Sequence, residues 1–177
     1  LDKLDLITRE MGIKKQLIQI TGGGADILKE EYMQYKHIFE LPQKIRFDGH
    51  LVSGMGEGTY YLGQKGYIKQ FDQHCGFTPY PGTLNVKIPQ IEKNKLRLIK
   101  RFPGMEIEEF KTENRTFGAV KCFQATVNDE DSVLVLPSRG HYSNIIEFIS
   151  PKNLRETLNV KDGDPIHIKV NIQKQMD

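Results

Sequence analysis

Hydrophobic and polar positions alternate most cleanly near the end of the chain. Ile166, Ile168, Val170 and Ile172 are separated by His167, Lys169 and Asn171, the period of a strand with one buried face. Lys161-Asp162-Gly163-Asp164 reads as the turn before it. Leu84 to Ile88 alternates in the same way, and Phe117 to Val127 does so over a longer stretch. Val133 to Leu136 and Ile145 to Ile149 are continuous apolar runs, the pattern of buried strands. Gly49 to Ser53 and Gly58 to Leu62 are short apolar pieces bounded by glycines, within a region of mostly strand signal from Phe47 onward. One helix is expected here, Pro151 to Leu158, with proline at its first position. Many short strands and little helix predict a closed or nearly closed β-barrel.

The pattern changes near residues 41–47, which divides the chain into segments 1–41 and 42–177. In the first, Leu6 to Thr8 and Leu17 to Thr21 read as two short strands, with basic residues Lys14 and Lys15 in the turn between them. Gly22-Gly23-Gly24 breaks the second strand. Ala25 to Phe39 then carries Leu28, Tyr32, Tyr35 and Phe39 on one helical stripe, with Asp26 in the first turn, and Pro42 stops it. A basic-tipped hairpin followed by a helix resembles the wing and last helix of a winged helix-turn-helix domain. A plain structural hairpin with a linking helix is the other reading. Sequence-specific DNA contact would need a recognition helix. The chain opens at Leu1 rather than Met, and this reading allows for a missing upstream part.

Charge adds little: 25 Lys+Arg against 23 Asp+Glu leave +2, so no global field drives the chain toward nucleic acid or membrane. Apolar residues at 38% with 27% charged suit a packed core rather than disorder. No apolar run approaches the ~18–20 residues of a membrane span, and no basic-then-apolar leader pattern is read in these residues, so nothing in them suggests secretion. Cys75 and Cys122 lack metal-ligand spacing, and reduced thiols in the cytoplasm are the simplest reading. Six positive charges from Lys87 to Arg101, against Glu92 alone, lack interleaved aromatics. A solvated basic face explains them better than a single-strand platform.

Three stretches carry chemistry. Gly54-Met55-Gly56-Glu57-Gly58-Thr59 has three glycines at alternate positions. Their N–H groups can cradle phosphate, or the stretch can be a glycine-rich hairpin turn. It is neither a Walker loop nor a dinucleotide fingerprint, since no Gly-Lys-Ser/Thr and no predicted helix follow. In Pro81-Gly82-Thr83-Leu84-Asn85 the side chains of Thr83 and Asn85 point to one face. They offer neutral hard oxygens that suit Mg²⁺ if phosphates complete its shell, and otherwise simply face water. Glu147 interrupts the apolar strand Ile145 to Ile149 and must find donors in a ligand or in Arg139 or Arg155. Lys152 and Arg155, near a helix start, could hold an anion or be solvated surface charges.

Together these stretches resemble the archaeal CTP-dependent riboflavin kinases. The resemblance runs over about residues 46–172. It rests on Gly49 to Thr59, Gly66-Tyr67-Ile68-Lys69-Gln70-Phe71, Gly76 to Val86 with its Pro-Gly-Thr-Leu-Asn core, Asn153-Leu154-Arg155-Glu156 and Lys161-Asp162-Gly163-Asp164. Some members of that family begin with a winged-helix domain. The resemblance implies a six-stranded cradle-loop β-barrel behind a partial winged-helix segment. It also implies transfer of the CTP γ-phosphoryl to the riboflavin 5′-hydroxyl, giving FMN and CDP. By the same resemblance Gly54, Met55, Gly56, Glu57, Gly58 and Thr59 hold the nucleotide together with Lys152, Asn153, Leu154 and Arg155. Thr83 and Asn85 bind Mg²⁺, and Glu147 contacts the flavin. As first candidate for orienting the attacking hydroxyl, Glu147 is also the catalytic residue of this reading. The family places a threonine shortly before that strand as a second flavin contact. Here the segment is Ser138-Arg139-Gly140-His141, so Arg139, Gly140 and His141 are the candidates. The residue closing the glycine stretch is often arginine in the family and is Thr59 here. A flavin- or nucleotide-sensing transcription regulator without turnover is the rival reading, and a bifunctional kinase that also binds DNA through its N-terminal segment is a third.

Overall fold

The computed structural model describes residues 4–12, 15–39, 44–138 and 144–172, without the side chains of 33–39. It divides into two units, residues 1–42 and 43–177.

In the first unit, β1 (Ile7–Met11) and β2 (Gln16–Ile20) form an antiparallel pair, and α1 (Gly22–Phe39) follows. The second strand ends before the three glycines, as expected, but the helix starts at Gly22 rather than Ala25, so the glycines form its first turn. Thr21 makes this work, its hydroxyl accepting from the Gly24 N–H at 3.1 Å and donating to the Asp5 carbonyl at 2.6 Å. Gly24 lies so close to the Leu6 carbonyl oxygen, just before β1, that a Cβ there would clash with it. Because α1 begins at Gly22, its first turn contains no acidic residue, and the expected dipole role of Asp26 is not realised.

The second unit runs β3 (Lys44–Val52), α2 (Glu57–Leu62), α3 (Lys65–Cys75), β4 (Leu84–Lys87), α4 (Lys93–Ile99), β5 (Met105–Ile107), β6 (Phe110–Lys111), β7 (Thr116–Phe117), β8 (Val120–Val127), β9 (Glu130–Pro137), β10 (Ile145–Ile149), α5 (Leu154–Thr157) and β11 (Pro165–Asn171). The large sheet is antiparallel, in the order β11-β3-β4-β10-β9-β8-β5. β11 also pairs with β8, Ile168 opposite Val127 and Val170 opposite Ala125. The pairings of β3, β4, β10, β9, β8 and β11 therefore close on themselves. β6 and β7 form a separate small hairpin.

Alternation along these strands sends side chains to two apolar clusters. Phe47, Leu51, Val86, Leu134, Ile146, Phe148, Ile166 and Ile168 fill one, joined by Leu96 and Ile99 of α4 and Leu154 of α5. Each fully buried side chain of this size is worth roughly 1.5–3 kcal/mol. The second cluster is built by Val133, Val135 and Ile149 together with Leu62, Tyr67, Phe71 and Phe117. Adjacent Phe148 and Ile149 thus belong to different clusters.

The helices depart from the sequence reading. Gly58 to Leu62 lies in α2 rather than a strand, and α3 and α4 were not foreseen. The basic stretch coils because Leu96 and Ile99, three apart, share one buried face. The expected helix from Pro151 shrinks to Leu154–Thr157, capped by Asn153, so Pro151 and Lys152 precede it. Among the described residues no helix is long and apolar enough to cross a membrane.

Candidate active site

The centre of the site follows from strand pairing. β4 and β10 are antiparallel with Asn85 opposite Glu147 and Leu84 opposite Phe148. Leu84 and Val86 enter the filled cluster, so Thr83, Asn85 and Glu147 share the other face and are half-buried. The Asn85 amide nitrogen donates to the carbonyl and to the hydroxyl oxygen of Thr83, both at 3.3 Å. The Thr83 hydroxyl in turn hydrogen-bonds the Glu147 carboxyl. Burial pushes the Glu147 pKa above the ordinary carboxylate value; the Thr83 bond opposes this, and the nearby Glu57 carboxylate adds to it.

The glycine-rich stretch lies directly over this trio. A Cβ on Gly54 would sit 2.6 Å from the Asn85 amide nitrogen, and one on Gly58 would sit 2.7 Å from the Thr83 hydroxyl oxygen. Two missing side chains therefore keep the trio open. Gly56 turns the backbone at φ 80° into α2, a left-handed conformation that glycine adopts without strain. A helix does follow the glycines, contrary to the sequence reading, although it has only six residues. The Thr59 hydroxyl donates to the Pro81 carbonyl at 3.2 Å, tying this stretch to the turn that leads into Thr83.

Two hollows meet at Thr83. The larger, about 490 Å³, has Glu57, Gly58, Thr83 and Glu147 in its wall beside four aromatic side chains, Tyr61, Tyr67, Phe71 and Phe117, and apolar residues such as Leu62, Val120 and Val135. Its size is that of a small-molecule site. The Tyr67 hydroxyl donates to the Gly118 carbonyl at 2.6 Å, which fixes the ring. Phe110 stacks on Phe117 with centroids 4.9 Å apart and meets Tyr67 edge-on at 4.8 Å. Among the described residues Arg115 is the one cation in this wall. It donates to the Tyr61 hydroxyl at 2.7 Å and lies 5.3 and 5.5 Å from the centres of the Tyr61 and Phe117 rings.

The smaller hollow, about 100 Å³, is bounded by Tyr80, Gly82, Thr83, Ser150 and the Lys152 to Arg155 segment. The Asn153 side chain caps α5 through the Glu156 N–H and donates to the Tyr80 hydroxyl at 3.4 Å. Lys152 pairs with Glu130 at 2.6 Å and Arg155 with Asp162 at 2.7 Å. The alternative ion pair between Glu147 and Arg155 is thus not the one formed.

Of the residues singled out in the sequence, Gly54, Gly58, Thr83, Asn85 and Glu147 come together, and Glu57 joins them beside Glu147. Lys152, Asn153, Leu154 and Arg155 reach the same place through the smaller hollow. The Leu154 side chain itself is buried in the filled cluster, and Met55 is 91% exposed. Arg139, Gly140 and His141 lie outside the described residues. The aromatic wall and Arg115 were missed. The i, i+4 spacing of Tyr67 and Phe71 was the available signal. Among the described residues no group of three or more His, Cys, Asp or Glu could hold a metal ion.

An aromatic cavity joined through neutral oxygens to a cation-flanked hollow is the layout of a small-molecule enzyme. The chain belongs to the CTP-dependent riboflavin kinase family, whose model, described as a domain of unknown function (DUF120), matches residues 51–170. It is 44% identical over 170 residues to a riboflavin kinase of Thermoplasma volcanium, covering 96% of this chain and 77% of that protein. It is 45% identical over 166 residues to one of Archaeoglobus fulgidus, covering 93% and 71%. For the riboflavin kinase of Methanosarcina mazei the values are 39% over 168 residues, 94% and 75%.

Proposed function

We propose that this chain phosphorylates riboflavin, transferring the γ-phosphoryl group of CTP to the ribityl 5′-hydroxyl to give FMN and CDP, on a six-stranded cradle-loop barrel. The observation that carries the reading is the position of Thr83, which borders both hollows and hydrogen-bonds Glu147. A phosphate donor in one hollow and an alcohol acceptor in the other meet there.

The flavin ring occupies the aromatic cavity, where Tyr67 and Phe117 offer faces and edges to a flat heterocycle. Its ribityl chain runs toward Glu147. That carboxylate accepts the 5′-hydroxyl hydrogen bond and orients the attacking oxygen, as general bases in phosphoryl transfer do. The raised pKa makes this carboxylate a better proton acceptor than an exposed one. Arg139, Gly140 and His141 are proposed to complete the flavin contacts. The triphosphate lies along Gly54 to Thr59, whose backbone can approach it closely, with Arg155 at its flank and Lys152 to Leu154 along the nucleoside. Positioning of donor and acceptor supplies most of the rate in such a reaction.

Mg²⁺ is proposed at Thr83 and Asn85. The donor set fits: a hydroxyl and an amide, hard and neutral, under the space that Gly54 and Gly58 leave open. A site with so little charge of its own holds the ion only together with substrate phosphates. When bound, the ion neutralises charge on the transferring phosphoryl group. The free thiols of Cys75 and Cys122 agree with a cytoplasmic enzyme. For residues 1–41 the hairpin followed by α1 supports the wing-and-helix reading, with DNA as its proposed partner.

The test is direct. The protein is incubated with riboflavin and Mg²⁺ and either CTP or ATP, and FMN is resolved by chromatography. FMN formed with CTP, and far less with ATP, supports the proposal. Flavin binding without FMN would make the chain a sensor instead.

A further inference from the structure

Asp162 lies outside every stretch assigned to substrate above, yet three donors converge on its carboxylate. The Ser53 N–H donates to it at 3.0 Å, the Ser53 hydroxyl at 2.6 Å and the Arg155 guanidinium at 2.7 Å. The second Arg155 nitrogen reaches the Val52 carbonyl at 3.5 Å. Around it the turn is fastened to the end of β3: Leu51 donates to the Asp164 carbonyl and Gly163 donates to the Leu51 carbonyl, both at 2.9 Å. The turn has its own closure, Asp164 donating to the Lys161 carbonyl at 3.0 Å while its carboxylate accepts from the Lys161 N–H at 2.8 Å.

These bonds join two segments distant in sequence. Ser53 immediately precedes Gly54, the start of the glycine stretch. Arg155 lies on α5, in the wall of the smaller hollow. A carboxylate beside a triphosphate is electrostatically unfavourable by itself. Its place here is explained if it fixes the direction of a guanidinium and the start of the glycine stretch at once.

We infer that Asp162 is a positioning residue for the nucleotide, holding Arg155 and the Ser53–Gly54 backbone in the arrangement that receives the triphosphate. The inference rests on the proposed nucleotide site. It assigns Asp162 no contact with either substrate. Removing it should weaken CTP while leaving riboflavin alone, through the loss of both the Arg155 and the Ser53 tethers.

Calorimetric titration of the whole chain with CTP, Mg²⁺ present, and separately with riboflavin, tests this. Asp162→Ala is expected to raise the CTP Kd about tenfold, as for loss of a charge-assisted hydrogen bond, and to leave the riboflavin Kd within about twofold. Asp162→Asn, which keeps an acceptor for Ser53 but turns a donor toward Arg155, is expected to show most of the same loss and serves where the alanine variant folds poorly. Adding Asp162→Ala to Arg155→Met is expected to cost clearly less than the roughly tenfold of the single variant, because the Arg155 share of the interaction is already gone and only the Ser53 share remains. The inference is overturned by an unchanged or tighter CTP Kd, by equal weakening of both ligands, or by full additivity in the double variant. A wild-type chain that binds riboflavin but no CTP would overturn the nucleotide site itself, and this inference with it. That outcome is read from the wild type alone and is distinct from the others.

Discussion

Glu147 and Phe148 are neighbours on β10, yet they face different surroundings. Phe148 points into a filled cluster with Ile146, Leu134, Val86 and Ile168, all fully or almost fully buried. Glu147 points to the side where Tyr67, Phe71 and Phe117 surround about 490 Å³ of open space. The filled side is largely aliphatic, and among the described residues no titratable side chain is buried in it. The open side carries hydroxyls, a guanidinium and two carboxylates; Tyr67, Thr83, Arg115 and Glu147 are placed by named bonds or by strand register. One face of the strands thus holds the domain together, and the other is left incompletely packed so that a ligand can complete it.

Substitutions at the two neighbours should separate these roles. Phe148→Ala is expected to cost about 3–5 kcal/mol of unfolding free energy, read from urea denaturation. Glu147→Gln should leave the fold intact and lower kcat by about 10²–10⁴. Because the folded Glu147 pKa is raised, the folded chain holds its proton to higher pH than the unfolded chain does. The stability linked to this group is therefore complete below the ordinary carboxylate pKa and is lost as pH rises through the folded value. Glu147→Gln escapes that loss, so its urea midpoint should exceed the wild type's at neutral pH and converge with it in acid. An equal or lower midpoint at neutral pH would contradict this environment for Glu147. The wild-type rate should also fall on acidification at a pH above the usual carboxylate range.

Smaller effects sharpen the contrast. Thr83→Ala removes a hydroxyl bordering both hollows and should lower kcat/KM about 10²-fold with little change in stability. A Thr83→Ala enzyme of normal rate would detach the two hollows from one reaction. Arg115→Ala, at the aromatic wall, should raise the KM for riboflavin about tenfold and leave that for CTP unchanged. An effect confined to CTP would move the flavin out of the cavity.

The sequence showed the filled side far better than the open one. Alternation at Ile166, Ile168 and Val170, and the unbroken runs Val133 to Leu136 and Ile145 to Ile149, follow from a period of two and need no tertiary information. The trio was also legible, since Thr83 and Asn85 stand two apart and Glu147 interrupts an apolar run. What escaped was helical. Gly58 to Leu62 is too short to show a period, and it coils because Leu62 packs with Tyr67 and Phe71 of the next helix. In Lys93 to Ile99 the basic residues masked the three-residue spacing of Leu96 and Ile99. Gly22 to Gly24 end the strand before them, as a local reading has it, but that they also begin the helix is explained only by the closeness of the Leu6 carbonyl to Gly24. The cavity itself is an arrangement of α2, α3 and the β6–β7 hairpin against the sheet, which no local pattern encodes.

The central claim, that donor and acceptor meet at Thr83, is tested most directly by a crystal structure with riboflavin, CDP and Mg²⁺ bound. The expected result places the ribityl 5′-hydroxyl about 2.6–3.2 Å from the Glu147 carboxylate, the flavin ring against Tyr67 and Phe117, and the CDP phosphates over Gly54 to Thr59. A flavin seated away from Glu147, or two ligands bound with Thr83 touching neither, would contradict it.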